Sequence, residues 1–113
     1  MKEFLLVFRA DLDNIPKGSP EAMQARTQGW MEWISGIAAQ DKLKDRGNRL
    51  TLEGKVLKSA DVITDGPFLE IKESILGYSL VKAESWEEAV EIAKGCPIFR
   101  VNGSVEVREI SAM

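Results

Sequence analysis

The stretch that most constrains this chain is Asp65-Gly66-Pro67-Phe68, continued by Glu70-Ile71-Lys72-Glu73-Ser74-Ile75-Leu76-Gly77-Tyr78. Asp can accept hydrogen bonds from amides two residues on, Gly tolerates positive φ, and Pro fixes φ near −65°. Together they predict a turn, with Phe68 directed inward to pin it and an extended strand leaving it. A chain organised around such a turn needs further strands to pair with the one that leaves.

Those strands are legible on both sides. Phe4-Leu5-Leu6-Val7-Phe8 is a continuous apolar run, the pattern of a strand covered on both faces, with Arg9 and Asp11 at its exit. Asp11 to Gly18 reads as a loop. Ser19-Pro20-Glu21 then supplies an N-cap, a first-turn proline and an acidic residue at the positive end of the helix dipole. From there Met23, Thr27, Trp30, Ile34, Ile37 and Ala38 recur at helical spacing, which predicts a long helix ending near Asp41. Gly29 and Gly36 lie on a neighbouring face. They are either tolerated imperfections or the floor of a groove where a backbone or ligand approaches.

Asp41 to Asn48 reads as a charged linker. Arg49–Leu52 and Lys55–Lys58 are expected to form a small hairpin about Glu53-Gly54, and Asp61–Thr64 to run extended into the Asp-Gly-Pro-Phe turn. Ser74–Ala83 is the next strand, with Ile75, Gly77, Ser79 and Val81 on one face and Leu76, Tyr78 and Leu80 on the other. Gly77 leaves space for a ring, a ligand or a close neighbour. Ser85-Trp86-Glu87-Glu88 is a capping box, followed by a short helix on Trp86, Ala89, Val90 and Ala93 that Gly95 can end in the left-handed conformation and Pro97 cannot continue. The last strand, Ser104–Ile110, turns Val105 and Val107 one way and Glu106, Arg108 and Ile110 the other. The order is β, α, hairpin, β, α, β. It predicts one α+β domain over residues 1–113, with two helices on one face of an antiparallel sheet and a second copy of the chain as the economical cover for the other.

Composition narrows the chemistry. The 113 residues include no histidine and one cysteine. A Ser-His-Asp triad, a Cys-His pair, a histidine general base and an intramolecular disulfide are therefore excluded within the chain. A net charge of −3 disfavours direct binding to nucleic acid, and no apolar run approaches the ~20 residues of a membrane span. The expected location is cytoplasmic, and neither metal nor cofactor is implied.

Val62-Ile63-Thr64-Asp65-Gly66-Pro67-Phe68-Leu69-Glu70-Ile71-Lys72-Glu73, with Leu76-Gly77-Tyr78 and Gly103-Ser104-Val105-Glu106-Val107-Arg108 downstream, resembles the DGPF branch of the YCII-related family. The resemblance implies a ferredoxin-like βαββαβ fold in which two subunits pack sheet against sheet as a dimeric α/β barrel. It also implies kinship with members that resemble muconolactone isomerases and dehydrochlorinases, for which a histidine–aspartate pair is the proposed catalytic centre. Asp65 matches the aspartate; the histidine has no counterpart. DGPF members are also associated with sigma-factor systems.

Asp65 is thus the candidate acid or base, its alternative role being a carboxylate that caps its own loop. Arg9, Trp33, Phe68, Lys72, Tyr78 and Arg108 are the candidate ligand-binding residues, with a small-molecule pocket expected between sheet and helices near Asp65, Tyr78 and Trp33, and Arg9 and Arg108 expected to converge with Glu106 around the open sheet face. Each has a structural alternative: inter-strand ion pairing with Glu106 for Arg9 and Arg108, core-edge packing for Trp33, loop anchoring for Phe68, a solvated ion pair for Lys72 and an interior ring for Tyr78. Two functions follow. One is a homodimer performing lyase- or isomerase-like proton transfer on a small polar or aromatic metabolite. The other is a non-enzymatic accessory or regulatory protein that acts by protein contact.

Overall fold

A computed structural model describes residues 1–66 and 73–111 of the chain. Its elements run β1 (Lys2–Asp11), a 3-10 turn (Leu12–Asn14), α1 (Pro20–Ala39), β2 (Leu43–Arg49), β3 (Gly54–Ser59), β4 (Val62–Gly66), β5 (Glu73–Ala83), α2 (Trp86–Lys94), a second 3-10 turn (Pro97–Val101) and β6 (Ser104–Glu109). Four strands form an antiparallel sheet in the order β2-β5-β1-β6, and β3 pairs with β4 in a separate two-stranded sheet. With that hairpin set aside, the order β1-α1-β2-β5-α2-β6 is the split βαβ arrangement of a ferredoxin-like fold.

Burial alternates along β1. Phe4, Leu6, Phe8 and Ala10 are buried under the helices, while Glu3, Leu5, Val7, Arg9 and Asp11 point to the other face and are half-buried. The helices approach only the first set. Phe8 meets Trp30 edge-on at 4.9 Å and Trp33 at 5.8 Å, and Phe4 meets Trp86 at 5.1 Å. A continuous apolar run predicted cover on both faces; within one chain only one face receives it.

Helix α1 starts as predicted, with Ser19 Oγ accepting from the Ala22 amide at 3.1 Å. Its inward stripe is rotated by about one residue. Met23, Thr27 and Ala38 are exposed, and Ala22, Arg26, Gly29 and Trp33 join Trp30, Ile34 and Ile37 on the inward side. The two tryptophans set this rotation by packing on Phe8, and Arg26 caps the preceding loop through the Pro16 carbonyl at 2.8 Å. Gly29 faces Arg100 and Pro97, whereas Gly36 has open space above it.

The expected linker Asp41–Asn48 is largely strand β2, an edge strand whose only contribution to the core is Leu43. Its pairing with β5 is interrupted at Asp45 and again before Asn48. Gly47 sits at φ +74°, its amide held by Asp45 Oδ1 at 2.8 Å, and a side chain there would overlap the Tyr78 carbonyl. The bulge turns the Arg46 carbonyl to accept from buried Ser79 Oγ at 2.6 Å. The neighbour that Gly77 accommodates is likewise backbone, since an added Cβ would stand 2.8 Å from the Asn48 oxygen. A second bulge, between Phe8 and Arg9 against Gly77 and Ile75, puts Ile75 out of phase with Gly77, so the expected shared face is not observed.

The hairpin is shifted from its expected register. β3 pairs with β4, not with Arg49–Leu52, with Leu57 opposite Ile63 and Lys55 opposite Asp65; the chain reverses at Ala60-Asp61. Asp65 and Gly66 therefore end a strand, and the Pro67-Phe68 half of the predicted turn lies outside the described residues. Helix α2 carries its expected cap, Ser85 Oγ accepting from the Glu88 amide at 3.2 Å. Ala89 and Ala93 are buried, while Trp86 and Val90 remain exposed. Gly95 ends the helix in a right-handed conformation, φ −80°, not the left-handed one expected.

Candidate functional site

The open face of the sheet gathers three of the candidates. Val7 lies opposite Glu106 and Leu5 opposite Arg108, which leaves Arg9 diagonal to Glu106 on the same side. Arg9 Nε approaches Glu106 Oε1 at 3.4 Å and Arg108 Nη1 approaches Glu106 Oε2 at 3.3 Å, so one carboxylate is held between two guanidinium groups. Arg9 is about two-thirds buried on its side chain and Arg108 mostly exposed. Two strands away, Tyr78 lies opposite Val7 and its hydroxyl accepts from Asn48 Nδ2 at 3.0 Å, which leaves the O–H proton to donate.

Leu5 and Leu80, paired across β1 and β5, fill the apolar centre with Val7. Glu3 and Lys44 close the far end through an ion pair at 3.3 Å. The arrangement is a shallow apolar floor with one fixed carboxylate, two guanidiniums and a phenol at its margin. The arginines and Glu106 together carry one excess positive charge, which suits an anionic or strongly polar ligand.

Trp33 belongs elsewhere. Its ring packs on Phe8 and Trp30, and its indole N–H donates to the Ile92 carbonyl at 3.1 Å, all on the helix-covered side. There it borders a groove of about 270 Å³ between α1 and α2, with Gly36, Ile37, Gln40, Lys42 and Ile92. Because Phe8 and Val7 are successive residues of one strand, Trp33 and Tyr78 stand on opposite faces of the sheet. A single pocket bounded by both, as the sequence led us to expect, does not form within a chain; Trp33 is a core-edge residue.

Asp65 is carried by β4, on the hairpin that follows β2. Phe68 and Lys72 lie outside the described residues. Cys96 is buried beneath the helices, and burial pushes its thiol up to about 12, which makes it a poor nucleophile at neutral pH. At the α2 N-terminus Glu88 receives Lys42 Nζ at 2.8 Å and the Glu84 amide at 3.3 Å. Those donors, Lys42 first, hold its carboxyl below the usual range against a smaller opposing effect of burial. Among the described residues no group of three acidic or cysteine side chains is placed to hold a metal ion, and no helix is long and apolar enough to cross a membrane.

Asn48 is the site residue that sequence reasoning missed. Its segment carries no alternating apolar pattern, so nothing marked it as a strand lying beside Tyr78.

A family model for the YCII-related domain matches residues 10–113. The chain belongs to the YCII-related domain family. The match spans everything from the end of β1 onward, and so includes Asp65, Tyr78, Glu106 and Arg108, while Arg9 precedes it by one residue. No curated protein gives a significant match to this YCII-related chain.

Proposed function

We propose that this protein, as a member of the DGPF branch, works as a cytoplasmic homodimer that binds a small polar or aromatic metabolite bearing a negative charge. Two open sheet faces turned toward each other would form a dimeric α/β barrel and enclose the ligand. The observation that carries this reading is the Arg9–Glu106–Arg108 cluster beside Tyr78 and Asn48, around half-buried Leu5, Val7 and Leu80. A face meant only for water has no need of that apolar centre, and a face meant only for packing has no need of that charge.

Lyase- or isomerase-like proton transfer is the chemistry the family resemblance offers, with Asp65 as the proton carrier. The chain contains no histidine to share that task. That absence favours a second reading, in which the protein is a non-enzymatic accessory, linked by resemblance to sigma-factor systems, and acts through protein contact. Titration with a panel of small carboxylates, followed by amide chemical shifts, tests the two. Saturable shifts along β1, β5 and β6 that vanish in Arg9→Ala are expected; shifts at no carboxylate would leave the accessory reading standing.

A further inference from the structure

One side chain reaches the open face only because β2 is bulged. From Asp45 opposite Leu80 to Asn48 opposite Tyr78, β2 advances three residues while β5 advances two. An unbroken ladder would set Gly47 opposite Tyr78 and turn Asn48, then opposite Gly77, toward the helix side. The extra residue reverses that, and three separate features hold it in place. Gly47 takes φ +74°, with no room for a side chain beside the Tyr78 carbonyl. Asp45 Oδ1 accepts from the Gly47 amide at 2.8 Å, and buried Ser79 donates its hydroxyl to the Arg46 carbonyl at 2.6 Å. Bulges of this kind re-aim side chains, often beside binding sites. Here the re-aimed group is the Asn48 amide, which donates to the Tyr78 hydroxyl at 3.0 Å. Asn48 is exposed and Tyr78 half-buried, so water can satisfy both groups and neither needs the other for folding.

We infer that Asn48 is a positioning residue for the Tyr78 hydroxyl, and that the pair selects, among carboxylates, those carrying a second oxygen that accepts a hydrogen bond. The inference rests on the proposed binding of an anionic metabolite at this face and names its class more closely. A phenolic hydroxyl carries one proton. Asn48 donates to its oxygen, and no acceptor for that proton is found among the described residues, so Tyr78 presents a fixed donor to the face. Tyr78 and Glu106 flank Val7 from either side and form one row across three strands. At about 4.8 Å between strands, the row spans about 10 Å at the backbone. A ligand lying over Val7 with its carboxylate on Arg9 or Arg108 therefore turns its far end to the phenol. A carbonyl oxygen at that end accepts from Tyr78. A methylene there displaces water and leaves the donor unpaired, which costs binding.

Titrations of the full chain, followed by amide chemical shifts, test this with pentanoate against 4-oxopentanoate and hexanoate against 5-oxohexanoate. The wild type should bind each oxo acid at least about threefold more tightly than its parent. Tyr78→Phe should erase that preference while keeping its affinity for the parent acids. Asn48→Asp introduces a carboxylate that only accepts, so it draws the phenolic proton to itself and should erase the preference too. Its added negative charge weakens an oxo acid and its parent alike, so the ratio of the two isolates the hydrogen bond. A wild type without the preference, or a preference that survives Tyr78→Phe, overturns the selection and leaves carboxylate binding intact. A preference unchanged in Asn48→Asp overturns the positioning role, because a merely structural contact does not link Asn48 to the oxo group. A wild type that binds none of these acids overturns both this inference and the proposed ligand.

Discussion

The two faces of the sheet are made from the same strands, and β1 supplies both in alternation. Phe4, Leu6, Phe8 and Ala10 are closed over by two helices and an aromatic cluster; Glu3, Leu5, Val7, Arg9 and Asp11, one residue out of step, meet only half-cover. The difference lies in what comes after β1. Helices α1 and α2 follow their strands on the same side, so every apolar side chain they contribute goes to one face. The other face is left with apolar residues that the described residues only half cover and with charges that pair among themselves. The covered face explains why the chain folds, and the open one is where its function should be sought.

The largest expected effect tests the covered face. Phe8→Ala removes a ring that is 5% exposed and touches both Trp30 and Trp33, and should cost about 3–5 kcal/mol in denaturant unfolding. Val7→Ala, on the neighbouring residue, should cost less than about 1 kcal/mol when measured at concentrations too low for association. Equal losses would mean that the two faces are equally buried in a single chain and would remove the asymmetry.

Next in size is Gly47→Ala, which probes how β2 is attached to the open face. A left-handed conformation costs an ordinary residue about 1–2 kcal/mol, and here a Cβ would also overlap the Tyr78 carbonyl. A loss of at least about 2 kcal/mol is expected, with faster hydrogen exchange confined to β2 and the facing half of β5. Arg9→Ala should fall well below both. Its ion pair with Glu106 is partly solvated, so stability should change by no more than about 1 kcal/mol in thermal unfolding, while carboxylate binding is lost. A larger loss would make the Arg9–Glu106–Arg108 cluster structural.

How far the sequence reveals each region follows from the same asymmetry. β1, α1 and α2 are legible because each carries its own signal, an apolar run or a cap with a periodic stripe. β2 is not, because an edge strand with one core residue and a glycine bulge pairs through its backbone and leaves no pattern in its side chains. The hairpin was legible as a hairpin but not in register, since β3, with no buried residue, offers little to fix the pairing. Of the candidate site, Glu106 and Arg108 were recoverable from the alternation along β6, and Arg9 from its place at the exit of β1. Tyr78's partner was hidden with β2, and the expected pocket shared by Trp33 and Tyr78 is not formed because Tyr78, opposite Val7, alternates onto the sheet face away from the helices while Trp33 packs on Phe8.

The smallest expected effect concerns the covered side and depends on pH. Glu88 caps α2 while bound to Lys42, which follows α1, and so joins the two helices that cover Phe4 to Ala10. Its carboxyl titrates lower in the folded chain than the ordinary 4.5. The unfolded chain therefore takes up the proton first as pH falls. The stabilisation from Glu88 should be complete above its ordinary value, decline as the pH drops below about 4.5, and be gone once the folded carboxyl is itself protonated. Thermal midpoints measured from pH 6 down to pH 3 should thus fall more steeply for the wild type than for Glu88→Gln, which carries no titrating group at this position. Parallel curves would show that the Lys42 contact adds nothing in solution, and the covering helices would then be held by their apolar contacts with β1 alone.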